Sequence, residues 1–191
     1  MLFRFALRYQ RWADNFAEIT GKIAQWAVLP TVAVGFINVI LRYTGQATEQ
    51  RLTNNAIIEL QWYLYSMIFL FGFAYVLKHQ INVRVDFWFT HQSIKRKAWI
   101  DFVGHWIALL PFAIIGMYVS FPQALQSIKV WEQSPDADGL PRGPIKALLA
   151  IAFLLLFLQA IAEQIKLYAI LTDRGQMVGL DYEHDQPIRV E

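Results

Sequence analysis

Few side chains in this sequence could do chemistry. His105 is the one titratable group well inside an apolar run, and His79 closes the run before it. Two histidines at matching depth are what a bis-histidine haem needs, so a redox role would be built on this pair. The plainer reading is a neutral His105 hydrogen-bonded to a neighbour near the end of its helix. The absence of cysteine excludes disulfides, thiolate metal sites and thiol redox chemistry. Asp136 and Asp138 have a spacing that could suggest calcium, but the rest of an EF-hand loop is missing. Ser134 to Pro144, with three prolines and two glycines, reads instead as a rigid solvated turn. No Walker loop, Rossmann glycine pattern or metal-spaced histidine pair occurs, so the sequence implies no cofactor.

Four charged residues remain as candidates for structural or partner contacts: Arg42, Glu59, Arg84 and Asp86. Glu59 opens an apolar run, where a carboxylate suits the positive end of a helix dipole. Arg84 and Asp86 would lie on one side of an extended stretch and pair. The aromatic residues that follow them, Phe87, Trp88 and Phe89, would dip into a membrane interface, with Lys95-Arg96-Lys97 as an anchor beside anionic inner-leaflet lipid.

The elements that carry these residues follow from composition and spacing. Of 191 residues, 56% are hydrophobic and 17% charged, against roughly 25% charged in a soluble domain. The net charge of +2 is too small to argue for a nucleic-acid partner. Uncharged stretches of 19, 18, 27 and 16 residues follow Lys22, Glu59, Asp101 and Lys146. About 20 apolar residues cross roughly 30 Å of hydrocarbon as a helix. The fourth stretch reaches that length if Lys146 and Lys166 snorkel outward. Since backbone groups find no water in the bilayer, the sequence predicts an all-α integral membrane protein with spans of about 23–42, 57–78, 99–128 and 145–166.

A tilt or kink is expected near Pro111. Asn38, Ser66, Ser120 and Gln159 could join helices by hydrogen bonds, and Gly104 with Ala108 would let backbones approach, either within this chain or against a partner. Spans one and two contain no internal charge, which argues against a proton-coupled pump.

Residues 1–20 read as a separate element. Leu2, Phe5, Tyr9, Trp12, Phe16 and Ile19 form one face, and Arg4, Arg8, Arg11, Asn15 and Glu18 another. That pattern predicts an interfacial amphipathic helix, followed by a four-span domain over 21–171 and a cytoplasmic tail over 172–191. A cleaved signal peptide is the competing reading, but no small-x-small cleavage site follows the apolar run. Lys and Arg number twelve in the N-terminal arm, second loop and tail, and five in the other two loops. The richer side is expected to be cytoplasmic, with both ends inside.

Asn38-Val39-Ile40-Leu41-Arg42-Tyr43 closes span one, Glu59 opens an aromatic span two, and Arg84-Val85-Asp86 follows it. Ser134-Pro135 and Gly139-Leu140-Pro141 precede span four. In this order and placement the motifs resemble the small membrane subunit (DctQ type) of tripartite ATP-independent periplasmic transporters. The resemblance runs from about residue 20 to 170. It implies a sodium-coupled secondary uptake system for organic acids. A periplasmic substrate-binding protein captures the solute and a large membrane permease subunit moves it. This chain would be the scaffold that holds the large subunit in the bilayer, not an enzyme. The alternative is the membrane anchor of a haem or quinone oxidoreductase, with His79 and His105 as ligands.

Overall fold

The computed structural model describes residues 2–81 and 92–174. Within them run α1 (Leu2–Thr48), α2 (Asn55–Lys78), α3 (Ile94–Gly104), α4 (Leu110–Lys129) and α5 (Gly143–Leu171). A single π-helical turn, His105–Leu109, joins α3 to α4, so the five make four membrane-length apolar helices. The Leu110 N–H donates to the His105 carbonyl five residues back. Pro111 has no N–H to give, so the regular ladder must lose a rung there. The irregularity expected near Pro111 lies in the turn just before it.

α5 is the centre of the bundle and packs against each of the other helices. A third (33%) of its most apolar stretch is buried, against 11–17% in the other spans. Leu77, Leu110 and Leu156 meet there with Ala113 and Ala160, and Phe73 and Phe153 pack around them. Helices in a membrane gain little from hiding apolar surface, so close approach over small residues holds them together. Ala150, Ala152, Ala160, Ala162 and Ala169 are all buried on α5. The expected small pair does not make this contact: a Cβ on Gly104 would meet open space. Gly116 does, because a Cβ there would overlap the Phe153 ring.

The expected boundary at residue 20 is not a break in the chain. α1 is one helix of 47 residues, about 70 Å at 1.5 Å per residue. Nothing between Glu18 and Val28 stops a helix. Gly21 is kept for space, since a Cβ on it would strike the ring of Tyr75 in α2. Apart from Tyr9 and Glu18, the residues of the two faces singled out by the sequence are not the ones turned to the bundle. Gln10, Ala13, Ala17, Thr20, Ala24 and Ala27 are buried, while Phe5, Trp12, Phe16 and Ile19 stay exposed. Small residues win the contact because α1 lies close along α2 and α5. The large apolar side chains turn outward, as do Phe36 on α1 and Ile115 and Tyr118 on α4. A chain in water would not expose so much apolar surface.

Candidate functional site

Polar side chains gather at the two ends of the bundle. At one end, Asn54 caps α2 by accepting from the Ile57 N–H at 3.2 Å. This fixes the first turns, and helical spacing puts Asn55, Glu59 and Tyr63 on one face. All three bond to the loop that leads into α5. Asn55 Nδ2 donates to the Ala137 carbonyl at 2.8 Å, and the Tyr63 hydroxyl to the Pro141 carbonyl at 2.9 Å. Between them, the Glu59 carboxylate accepts from the Ser134 hydroxyl at 2.5 Å, the Leu140 N–H at 2.5 Å and Arg142 Nη2 at 3.1 Å. The side chain of Glu59 is 3% exposed and that of Arg142 is 22% exposed.

Arg142 is itself held on several sides. Its guanidinium reaches the Ser134 hydroxyl at 3.2 Å and lies 5.1 Å from the centre of the Trp62 ring. Its backbone N–H donates to the Glu132 carbonyl at 2.8 Å. Beside it, Lys146 Nζ meets Glu132 Oε2 at 2.5 Å, and that hydrogen bond holds the Glu132 carboxyl below its ordinary range. Gly139 packs where a Cβ would collide with Ser134 and Glu59. The residue types of Ser134, Gly139 and Arg142 thus follow from one carboxylate, which Leu140 meets through its backbone. Glu59 is not merely placed near a helix dipole; the loop is folded around it.

At the other end, α1 is tied to α5 and α2. Lys166 Nζ lies 2.8 Å from Asp14 Oδ1 and 2.7 Å from Glu163 Oε1. Gln159 Nε2 donates to the same two carboxylates at 2.9 Å each. The Lys166 side chain is 4% exposed, so it does not snorkel as expected. Two carboxylates inside the bundle offer its ammonium more than the interface does. Tyr9 donates to the Leu158 carbonyl at 2.9 Å. Glu18 accepts from Lys78 at 2.6 Å and lies 2.7 Å from His79 Nε2. The Lys78 hydrogen bond, with a smaller one from His79, pulls the Glu18 carboxyl below its ordinary range.

The structure therefore places the four candidates differently. Glu59 is at the heart of a site. Arg42 is exposed on α1 and forms no ion pair among the described residues. Arg84 and Asp86 lie outside the described residues. His79 is engaged by Glu18 and packs tilted against Tyr75, with ring centres 4.3 Å apart. Of the helix-joining candidates, Gln159 bridges α1 and α5, whereas Ser66 bonds back to the Trp62 carbonyl of its own helix. Lys95 of the basic run pairs with Asp173 at 2.8 Å. Asp14, Glu163 and Lys166 were not foreseen as a set. Their only sequence signal is the spacing of Gln159, Glu163 and Lys166 on one helical face.

Among the described residues, no group of three His, Asp or Glu is arranged to hold a metal. Four spans, the last of them central, with charged residues bonding the helices to one another, define a small multi-pass membrane protein. The family model described as "Tripartite ATP-independent periplasmic transporters, DctQ component" matches residues 31–169. The chain belongs to that family. The matched stretch holds the C-terminal part of α1, the next two spans, nearly all of α5 and the whole Glu59 clamp. No curated protein and no solved structure matches the chain.

Proposed function

We infer that this chain is the scaffold subunit of a sodium-coupled uptake transporter for organic acids, seated in the bacterial inner membrane with both ends in the cytoplasm. Its partners are a large membrane permease subunit and a periplasmic substrate-binding protein. It is not an enzyme, and it makes no direct contact with the solute. The observation that carries this reading is the direction of its polar groups. The charges at both ends, in the Glu59 clamp and around Lys166, bind one helix or loop of this chain to another. Between those ends the outward surface of the spans is apolar, including Leu29, Val32, Phe36 and Ile40 along α1. A chain that bound an anion or sodium within the bilayer would need charged groups turned toward it, at a cost of about 2.5–3.5 kcal/mol or more each.

Twelve positive residues on one side against five on the other support the orientation. Arg84 and Asp86 are proposed to fix the inner loop against the large subunit, and the basic run to rest on anionic inner-leaflet lipid. Reconstitution of the full transporter tests the reading. Arg84→Ala and Asp86→Ala are expected to lower the yield of assembled complex, with the substrate affinity of the remainder unchanged. A large shift in affinity at normal complex abundance would sink it, by requiring a site built partly from this chain.

A further inference from the structure

Charge is sorted at the Glu18 end of the bundle. Leu77, near the close of α2, packs with Leu156 and Ala160 of α5. From there α5 runs on to Leu171, about 16 Å further. α2 is itself about 36 Å long, more than the roughly 30 Å of hydrocarbon, so this extension lies at headgroup level or beyond. Two helices flank it. The first turns of α1 reach it through Tyr9 and Asp14. α3 reaches it through Ala98, packed with Leu167 and Ile170, and through the Phe102 carbonyl, which accepts from Gln164 Nε2 at 3.2 Å.

The described acidic side chains at this end are taken up within the chain. Asp14 and Glu163 meet Lys166, Glu18 meets Lys78 and His79, and Asp173 meets Lys95. Asp101 also has a partner. Arg4, Arg8, Arg11, Lys22 and Arg96 are exposed, with no ion pair among the described residues. Among those residues the charge left facing outward here is therefore positive.

On α1 that charge has a fixed place. Arg4, Arg8 and Arg11 follow at four- and three-residue steps, as Trp12, Phe16 and Ile19 do. At about 100° per residue the two lines lie roughly a quarter-turn apart, and both turn away from the buried Gln10, Ala13 and Ala17. A partner helix covering Trp12 and Phe16 would also have to desolvate or pair three guanidinium groups, and the cores of protein interfaces are depleted of charge. A leaflet surface takes both lines as they stand, rings in the acyl boundary and guanidinium groups on phosphate. α3 repeats the combination, since Lys95, Arg96 and Trp99 line a shallow groove of about 420 Å³.

We propose that the first turns of α1 form a foot on the anionic inner leaflet, with Arg4, Arg8 and Arg11 on lipid phosphate and Phe5, Trp12, Phe16 and Ile19 in the acyl boundary. The leaflet is the inner one by the orientation inferred above. Asp14, held by Lys166, carries the attachment to the central helix.

The full-length chain in nanodiscs of phosphatidylethanolamine and phosphatidylglycerol tests this. Spin labels on single cysteines at Trp12 and at Arg8 report depth through their access to an aqueous nickel chelate. The label at Trp12 is expected to be shielded roughly tenfold more than the label at Arg8. Arg8→Gln should lower phosphatidylglycerol retention in native mass spectrometry roughly fivefold. Its melting temperature should not move, because Arg8 is exposed and in no ion pair among the described residues. Equal chelate access at the two positions would overturn the proposal, as would equal phosphatidylglycerol retention by wild type and variant. So would shielding at Trp12 that arises only when the large permease subunit is added, since a partner would then be the occupant. A nanodisc is open on both faces, so neither readout depends on the orientation, whose failure would show only in sidedness labelling.

Discussion

The Glu59 carboxylate and the Ser134 hydroxyl are 75 residues apart in the chain and 2.5 Å apart in space. That bond joins the first turns of α2 to the loop before α5, and Leu140 and Arg142 close around the same carboxylate. Replacing Glu59 by Ala leaves Arg142, a hydroxyl and a backbone N–H without their shared acceptor. The expected result is a lower melting temperature in detergent and faster labelling of a cysteine placed at Asp136. Glu59→Gln should fall between the two, since its amide still offers one acceptor. Equal labelling rates in all three would mean that the loop does not depend on Glu59.

Gly139 tests the same clamp without touching a charge. Gly139→Ala pushes a methyl group into Ser134 and Glu59, and overpacking of this kind costs about 1–3 kcal/mol. A thermal melt of the purified variant should show that loss.

At the other end, Lys166→Met strands Asp14 and Glu163 inside the bundle. Removing one partner from a buried ion pair costs about 3–5 kcal/mol. Adding Asp14→Asn should restore part of the loss, so the two changes are expected to be non-additive in a double-mutant cycle. Strict additivity would show that the two side chains do not interact.

The pH dependence follows from Glu18. Its carboxyl lies below the ordinary range because Lys78 and His79 bond its charged form. A depressed folded value contributes stability above the ordinary carboxylate range and loses it as pH falls through the folded value. Acid melting of the wild type should therefore show a step that Glu18→Gln lacks. Coincident pH profiles would remove the Glu18 bridge as a source of stability.

Phe5, Trp12 and Phe16 point away from the bundle. Their joint replacement by Ser should leave the detergent melting temperature nearly unchanged, each exposed site contributing within about 0.5 kcal/mol. Membrane seating or complex assembly should fall instead. A sharp drop in melting temperature would mean that the stripe packs within the chain.

Orientation can be read directly, because the sequence has no cysteine. Single cysteines at Gln92 and Asp138 are expected to react from opposite sides, Asp138 from outside. Labelling of Gln92 from the periplasm would invert the topology.

The spans were legible because charge interrupts apolar runs, and a bilayer makes that contrast unusually strong. Glu59 was legible as a candidate, and the Ser134-Pro135 and Gly139-Leu140-Pro141 motifs were visible, yet nothing in the sequence joined them across a long separation. The Asp14 and Lys166 pairing was hidden for a different reason. Lysine at a span end usually snorkels, and only the close course of α1 beside α5 supplies a better partner. The buried face of α1 was missed because hydrophobicity marks the large residues, whereas close helix packing selects alanine, threonine and glycine.

α5 is bonded through Lys146 and the preceding Arg142 at its start, and through Gln159, Glu163 and Lys166 near its finish. The 16 uncharged residues between Lys146 and Glu163 therefore act as a phase gauge. Exchanging one aliphatic side chain for another leaves that gauge unchanged. Inserting a single residue would turn the finish by about 100° and advance it by about 1.5 Å, carrying Glu163 and Lys166 out of line with Asp14. In this helix the number of residues is constrained as firmly as the identity of its buried alanines.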